Sequence, residues 1–155
     1  MKEQCKTVVR QATIADLDSL VPLFDAYRQF YRKPSDHVLA RRFLLERFQH
    51  NESVIFIAIN NEGSSVGFTQ LFPSFSSLSA GRVFILNDLF VSAENRRQGV
   101  AASLLRAAKD FGERIGAGRL TLSTEVTNGA AQALYESLGW LKQTDFHVYN
   151  QPLQP

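Results

Sequence analysis

The sequence predicts an α/β (α+β) chain with a mixed central sheet, in the order β-α-α-β-β-β-α-β-α-β. Three observations carry this. Short apolar runs alternate with segments whose apolar residues recur every three or four positions. The segment Asn60-Asn61-Glu62-Gly63-Ser64-Ser65 is turn chemistry between two such runs, which makes a hairpin. Farther on, a strand, a long amphipathic helix and another strand follow in series, and that connection gives parallel neighbours.

Val8 to Arg10 reads as a short strand. Thr13 reads as a helix N-cap with Asp16 three residues on, and the helix runs to about Tyr31 with Leu17, Leu20, Val21 and Phe24 on one face. Pro34 stops it. Ser35 starts a second helix, in which Ala40, Phe43, Leu44 and Phe48 recur at helical spacing. Val54 to Ile59 is continuous, apolar and rich in β-branched residues, a buried strand. Val66 to Phe72 pairs back on it, Pro73 to Ala80 is a Ser-rich loop, and Val83 to Val91 is the longest strand. A polar turn, Ser92 to Arg97, opens a helix from about Gly99 to Gly116 whose stripe is Ala101, Leu104, Ala108, Phe111 and Ile115. Leu120 to Ser123 is a strand. Asn128 opens a helix ending at Leu138 with Gly139 as its C-cap, and Phe146 to Tyr149 is a last strand.

The 155 residues suit one domain, with a core of about 8–149 and a loose tail over 150–155. With 45% hydrophobic and 21% charged residues, the chain has enough apolar surface to build a core. The longest apolar run is the six residues of Val54 to Ile59, far short of the about 20 a membrane helix needs. The N-terminus has no signal-like apolar stretch, so a cytoplasmic location and no membrane partner are expected. A net charge of +2 gives no reason to expect nucleic acid. The lone Cys5 excludes an internal disulfide and a cysteine metal cluster. His37, His50 and His147 show no metal spacing, so no metal is expected. Twelve Phe is the unusual entry in the composition.

The chemistry concentrates where the longest strand runs through a polar turn into the long helix. There Arg96-x-x-Gly99-x-Ala101 places small residues at a helix start, so a phosphate can approach the backbone. The first helical N–H groups have no internal partner and the helix dipole adds partial positive charge, which makes a pyrophosphate cradle. No Gly-Lys-Ser/Thr follows, so this is not a Walker loop, and no Gly-x-Gly-x-x-Gly follows the first strand.

The pattern strand–Arg/Gln-x-x-Gly-x-Gly/Ala–helix resembles motif A of the GCN5-related N-acetyltransferases, the GNAT superfamily. Asn128-x-x-Ala131-x-x-Leu134-Tyr135-x-x-x-Gly139-Trp140 looks like that family's motif B, and Leu122-Ser123-Thr124 lies between them as the expected neighbouring strand. The resemblance covers roughly Val8 to Tyr149. It implies acetyl-CoA as cosubstrate, bound in a cleft between the fourth and fifth strands, which splay apart at a bulge. Carried over residue by residue, Leu89, Phe90 and Val91 pair with the pantetheine arm. The Val91 N–H polarises the thioester carbonyl. Arg96, Arg97, Gln98, Gly99, Val100, Ala101 and Ala102 hold the pyrophosphate. Asn128 hydrogen-bonds the pantetheine arm, and Tyr135 is the acid for the leaving thiolate. A tyrosine with pKa about 10 is protonated at pH 7 and can donate to a thiol of pKa about 8.5.

The segment Ile85 to Val91, with the aromatic end of the first helix, looks nearest to the histone- and polyamine-acetylating subgroup. The expected acceptor is a primary amine, a small amine or polyamine first and a protein lysine or N-terminus second. It is attacked directly in a ternary complex. A homodimer is left open. The rival reading is a non-catalytic acyl-CoA-binding sensor or assembly module. On the acceptor side Asn87 shares the parity of Val91, Leu89 and Ile85 and faces the cleft. Asp88 and Glu125 are the nearest carboxylates, each a base or merely a hydrogen-bonded or exposed group, and a water relay is an equal alternative. Tyr27, Phe30 and Tyr31, with Phe72 and Phe75 flanking the Ser-rich loop, form either an aromatic acceptor pocket or core packing.

Overall fold

The apolar run at 54–59 becomes a strand because its residues can be buried on both faces of a sheet. In the computed structural model, which describes residues 7–154, five strands lie in the order of the chain: β1 (Val8–Gln11), β2 (Val54–Ile59), β3 (Ser65–Ser76), β4 (Gly81–Val91) and β5 (Leu120–Thr121). The first three pairings are antiparallel and β4–β5 is parallel, so the sheet is mixed. Cys5 lies outside the described residues.

One face of the sheet is covered by α1 (Leu17–Phe30) and α2 (His37–Gln49). Leu20, Val21, Phe24, Ala40 and Leu44 from these helices form one core with Ile55, Ile57, Phe68 and Phe90. The other face carries α3 (Val100–Arg114). Its Phe111 ring meets those of Phe56 at 5.9 Å and Phe84 at 5.4 Å, and Leu104, Leu105 and Ala108 are buried beside it. The stripe read from the sequence is therefore the face that docks, although Ala101 is only half-buried and Ile115 ends outside the helix.

The chain divides into two compact units between Ser123 and Thr124. The second contains α4 (Gly129–Ser137). Asn128 caps it, its Oδ1 accepting from the Ala131 amide at 3.2 Å. Gly139, at φ 87°, ends it, with Gly139 N–H donating to Glu136 C=O and Trp140 N–H to Tyr135 C=O, both Schellman bonds.

Three expectations need correction. The Ser-rich loop is half strand, since β3 continues through Pro73 to Ser76 and only 77–80 turn. Proline is tolerated there because β2 pairs only as far as Leu71, so β3 beyond it is an edge on that side. Strand β5 is two residues long rather than four. The last strand expected over Phe146–Tyr149 is absent. Those residues are exposed and their own unit offers no other strand to complete the backbone hydrogen bonds.

The joint between α1 and α2 is held by a residue that the sequence did not single out. Asp25 is 1% exposed. Its Oδ1 accepts from the Asp36 amide at 2.7 Å, and its Oδ2 accepts from Ser35 Oγ at 2.7 Å and Gln29 Nε2 at 3.0 Å. His37 Nε2 lies 3.3 Å away. Burial pushes its pKa up, but the Asp36 amide, the Ser35 hydroxyl and the charges of His37 and Arg28 outweigh it and hold the carboxyl below its ordinary 3.8. A depressed carboxylate stabilises the fold above that value and loses the contribution as pH falls through its folded pKa. Asp25→Ala should therefore cost on the order of 3 kcal/mol at pH 7, since hydrogen bonds to a buried charge are lost together. Urea unfolding at pH 7 and at pH 3 measures it, and the gap from wild type should shrink at the lower pH.

Candidate active site

The site begins with the register of β4. Gln70 pairs with Asp88 but Leu71 pairs with Leu86, so Asn87 is an extra residue, a β-bulge. The bulge exchanges the faces. Above it, Val91 and Leu89 lie on the α3 face with Gly67 and Thr69, and Phe90 and Asp88 lie on the α1 face with Phe68 and Gln70. Below it, Leu86 and Phe84 take the α3 face. The simple alternation expected from the sequence fails at this point: Ile85 does not share a face with Val91.

Pairing between β4 and β5 is confined to Phe84 with Leu120 and Ile85 with Thr121. From Leu86 to Val91 no strand among the described residues lies on that edge. The Ser92 N–H donates to Val66 C=O at 2.9 Å, which makes Gly67 and Val91 a non-hydrogen-bonded pair. The Val91 N–H and C=O consequently point away from β3, toward the edge that β5 has left. Two residues earlier, the Leu89 N–H points the same way by the strand repeat. Gly67 makes this possible. A Cβ there would stand 2.8 Å from the Phe90 carbonyl oxygen. Sequence reading passed over Gly67, although a glycine inside a strand pattern signals such a close approach.

After β4 the chain turns through a short 3-10 segment, Ala93–Asn95, with Arg97 at φ 60° and Gly99 at φ 82°. Gly99 is the N-cap of α3 and has no side chain to cap it. The first helical bond there runs from Ser103 N–H to Gly99 C=O. Helix geometry therefore leaves the Val100, Ala101 and Ala102 amides without intrahelical partners. A Cβ at Gly99 would meet nothing within 4 Å, so the space beside the start of the helix is open at that residue. Arg97 and Gln98 are exposed beside them. Arg96 behaves differently: its Nε donates to Val91 C=O at 3.0 Å, and its guanidinium lies over the rings of Phe30 at 5.6 Å and Phe90 at 5.7 Å.

On the α1 face Asp88 is buried. It accepts from Gln70 Nε2 at 2.5 Å and from Asn87 Nδ2 at 2.9 Å, while Ser53 Oγ donates to Gln70 Oε1 at 2.8 Å. Burial pushes the Asp88 pKa up, against the lowering by Gln70, Asn87 and the Tyr27 hydroxyl. The aromatic residues divide. Tyr27 is half-buried and meets Phe24, Tyr31, Phe68 and Phe90 at 5.1–6.4 Å between centroids, so it belongs largely to the core. Phe30 and Tyr31 are exposed at the end of α1. Phe75 is not with them. It pairs with Arg82, whose guanidinium covers its ring at 4.6 Å. That is about 30 Å along β4 from Val91, at roughly 3.3 Å per residue.

In the second unit Asn128 and Tyr135 are seven residues apart, two helical turns, and so lie on one face of α4. Tyr135 is half-buried with its ring 6.2 Å from that of Trp140. Glu125 is exposed and contributes its carbonyl to the Asn128 and Gln132 Nε2 donors.

The model of the acetyltransferase (GNAT) family matches residues 20–140. The chain belongs to this family. The uncharacterized N-acetyltransferase YhfO of Bacillus subtilis (strain 168) is 48% identical over 91% of this chain and 94% of its own. A solved structure of a probable acetyltransferase superposes with a TM-score of 0.90 at 45% identity, over 96% of this chain and 99% of that one. An aminoglycoside N-acetyltransferase solved with CoA shares the fold, with a TM-score of 0.79 at 20% identity over 99% of both chains. The GNAT chain described here is accordingly an acetyl-CoA-dependent N-acetyltransferase. Its residues fit that cosubstrate: an unpaired strand edge with outward N–H groups leads into uncapped helix amides. Gly67→Ala should cost about 1–3 kcal/mol of stability, because the added Cβ meets backbone that cannot rotate aside. It should also lower kcat by displacing the Phe90–Val91 backbone. Thermal unfolding and steady-state kinetics on the same preparation measure the two effects.

Proposed function

We propose that this enzyme transfers the acetyl group of acetyl-CoA to the primary amine of a small molecule, by direct attack while both substrates are bound. A protein lysine or N-terminus is the second reading. The observation that carries it is the Val91 N–H, aimed by the non-hydrogen-bonded pair with Gly67 at the edge beyond the short β4–β5 pairing. Acetyl-CoA supplies an activated thioester. The Val91 N–H donates to the carbonyl oxygen as negative charge develops there, a preorganised donor of the oxyanion-hole type. The amides of Val100, Ala101 and Ala102, with Arg97 and Gln98, hold the pyrophosphate. Asn128 binds the pantetheine arm and Tyr135 donates the proton that the thiolate needs, roles that the motif B resemblance supports.

The amine must arrive without its proton, and Asp88 or a water held by Asn87 takes it. A raised pKa suits Asp88 to this, because a carboxylate is a better proton acceptor the nearer its pKa lies to the working pH. An amine panel with acetyl-CoA, read by thiol release, tests the transfer. Tyr135→Phe should lower kcat by about 10²–10⁴-fold and leave CoA affinity unchanged. Unchanged turnover would remove Tyr135 from the mechanism, and an acyl-CoA sensor would have no turnover to lose. With Asp88 as base, kcat/KM should fall as pH drops through its raised pKa, and Asp88→Asn should abolish that limb. Retention of the limb in the variant assigns the proton to water.

A further inference from the structure

We propose that Arg96 recognises a carboxylate on the acceptor, so that the amine this enzyme acetylates belongs to an amino-acid-like molecule. The inference rests on the acetyl-transfer reading above and names the substrate class for that site.

Three observations lead there. The first is the face on which the guanidinium lies. Phe90 and Phe30, the rings beneath it, belong to the α1 side of the sheet, whereas α3, whose uncapped amides form the phosphate cradle, packs on the other side. Arg96 opens the sequence motif read as a pyrophosphate cradle, yet its side chain leaves that cradle. Its own amide is also spent, donating to Ala93 C=O at 3.4 Å.

The second is that the side chain is held. Its Nε is fixed on Val91 C=O at 3.0 Å, and the planar group lies over two rings within the about 6 Å of a cation–π contact. An arginine anchored in this way loses little further freedom when it binds, and its terminal nitrogens form a fork that matches a carboxylate.

The third is its lack of an acidic partner. Among the described residues Arg96 makes no ion pair, while Arg10 and Arg41 each have one and Arg47 has two. Among the described residues Glu94, two residues away, makes no ion pair with Arg96, and the Asp88 carboxylate already accepts from Gln70 and Asn87. A fixed cation adjoining Val91, whose N–H addresses the reacting carbonyl, places an anion on the acceptor close to its amine. The same cation repels a polyamine, and it occupies the aromatic corner that such a cation would need.

Matched acceptors test this: α-amino acids, their carboxamides, and polyamines, with wild type and Arg96→Gln. Wild type should prefer carboxylate over carboxamide by at least tenfold in kcat/KM, the effect of one charge-assisted contact. Arg96→Gln should remove the preference and leave the acetyl-CoA KM within about twofold. A carboxylate preference that survives the substitution overturns the proposal, as does a wild type that prefers carboxamides or polyamines. A fall in CoA affinity with no change in preference returns Arg96 to the pyrophosphate and also overturns it. Binding of N-acetyl amino acids to the CoA-loaded enzyme, followed by calorimetry, supplies a readout without turnover. Binding that Arg96→Gln abolishes supports the carboxylate contact. If such binding persists in wild type while no amine is acetylated, the transfer reading alone fails.

Discussion

Everything in the first unit that concerns chemistry depends on one extra residue in β4. Without the bulge at Asn87, the register set by Leu71 and Leu86 would continue to put Phe90 opposite Gly67 and Asp88 opposite Thr69. A phenyl ring would then be forced between the sheet and Leu104 of α3, and Phe68 would lose its aromatic neighbour at 6.4 Å. The bulge instead lets both halves of β4 bury apolar side chains on both faces while turning Asp88 toward α1. It also sets which of the last backbone groups meet β3 and which face outward. A local packing solution thus decides where a hydrogen-bond donor is available for a thioester.

The surplus of phenylalanine now has a structural account. Phe24, Phe43, Phe68 and Phe90 form an aromatic layer under α1 and α2, and Phe56, Phe84 and Phe111 form another under α3. These rings are core. Of the exposed ones, Phe30 and Phe75 each lie beneath an arginine of the same chain, and Phe146 lies in the second unit. The exposed cation–π contacts are thus internal to the chain, and they fix cations in place.

Much of this was legible in the sequence. The β-branched run at 54–59, the stripe of α3, and the Asn128 and Gly139 caps are local signals, and each led to the observed element. Motif A and motif B carried the family. What was not legible is long-range. A bulge at an asparagine has no glycine to announce it, so simple alternation puts Ile85 on the wrong face. Pro73 broke the strand on paper because its edge position depends on where β2 stops. Asp25 looked like one more polar residue of a helix, since its partners at 35–37 become visible only once the chain has turned back. The aromatic side chains at 146–149 have strand propensity, but propensity without a partner gives no strand.

The end of β4 has a consequence for self-association. An open strand edge ordinarily alternates donors and acceptors and so invites any extended chain to add to it. Here the outward carbonyl of Val91 is already engaged by Arg96, while among the described residues the outward amide of the same residue has no such partner. The edge is therefore lopsided. It suits a visitor that brings an acceptor to that one point and suits poorly a second polypeptide, which needs both. The same guanidinium thus guards against unwanted β-addition at the place where the sheet has to stay open.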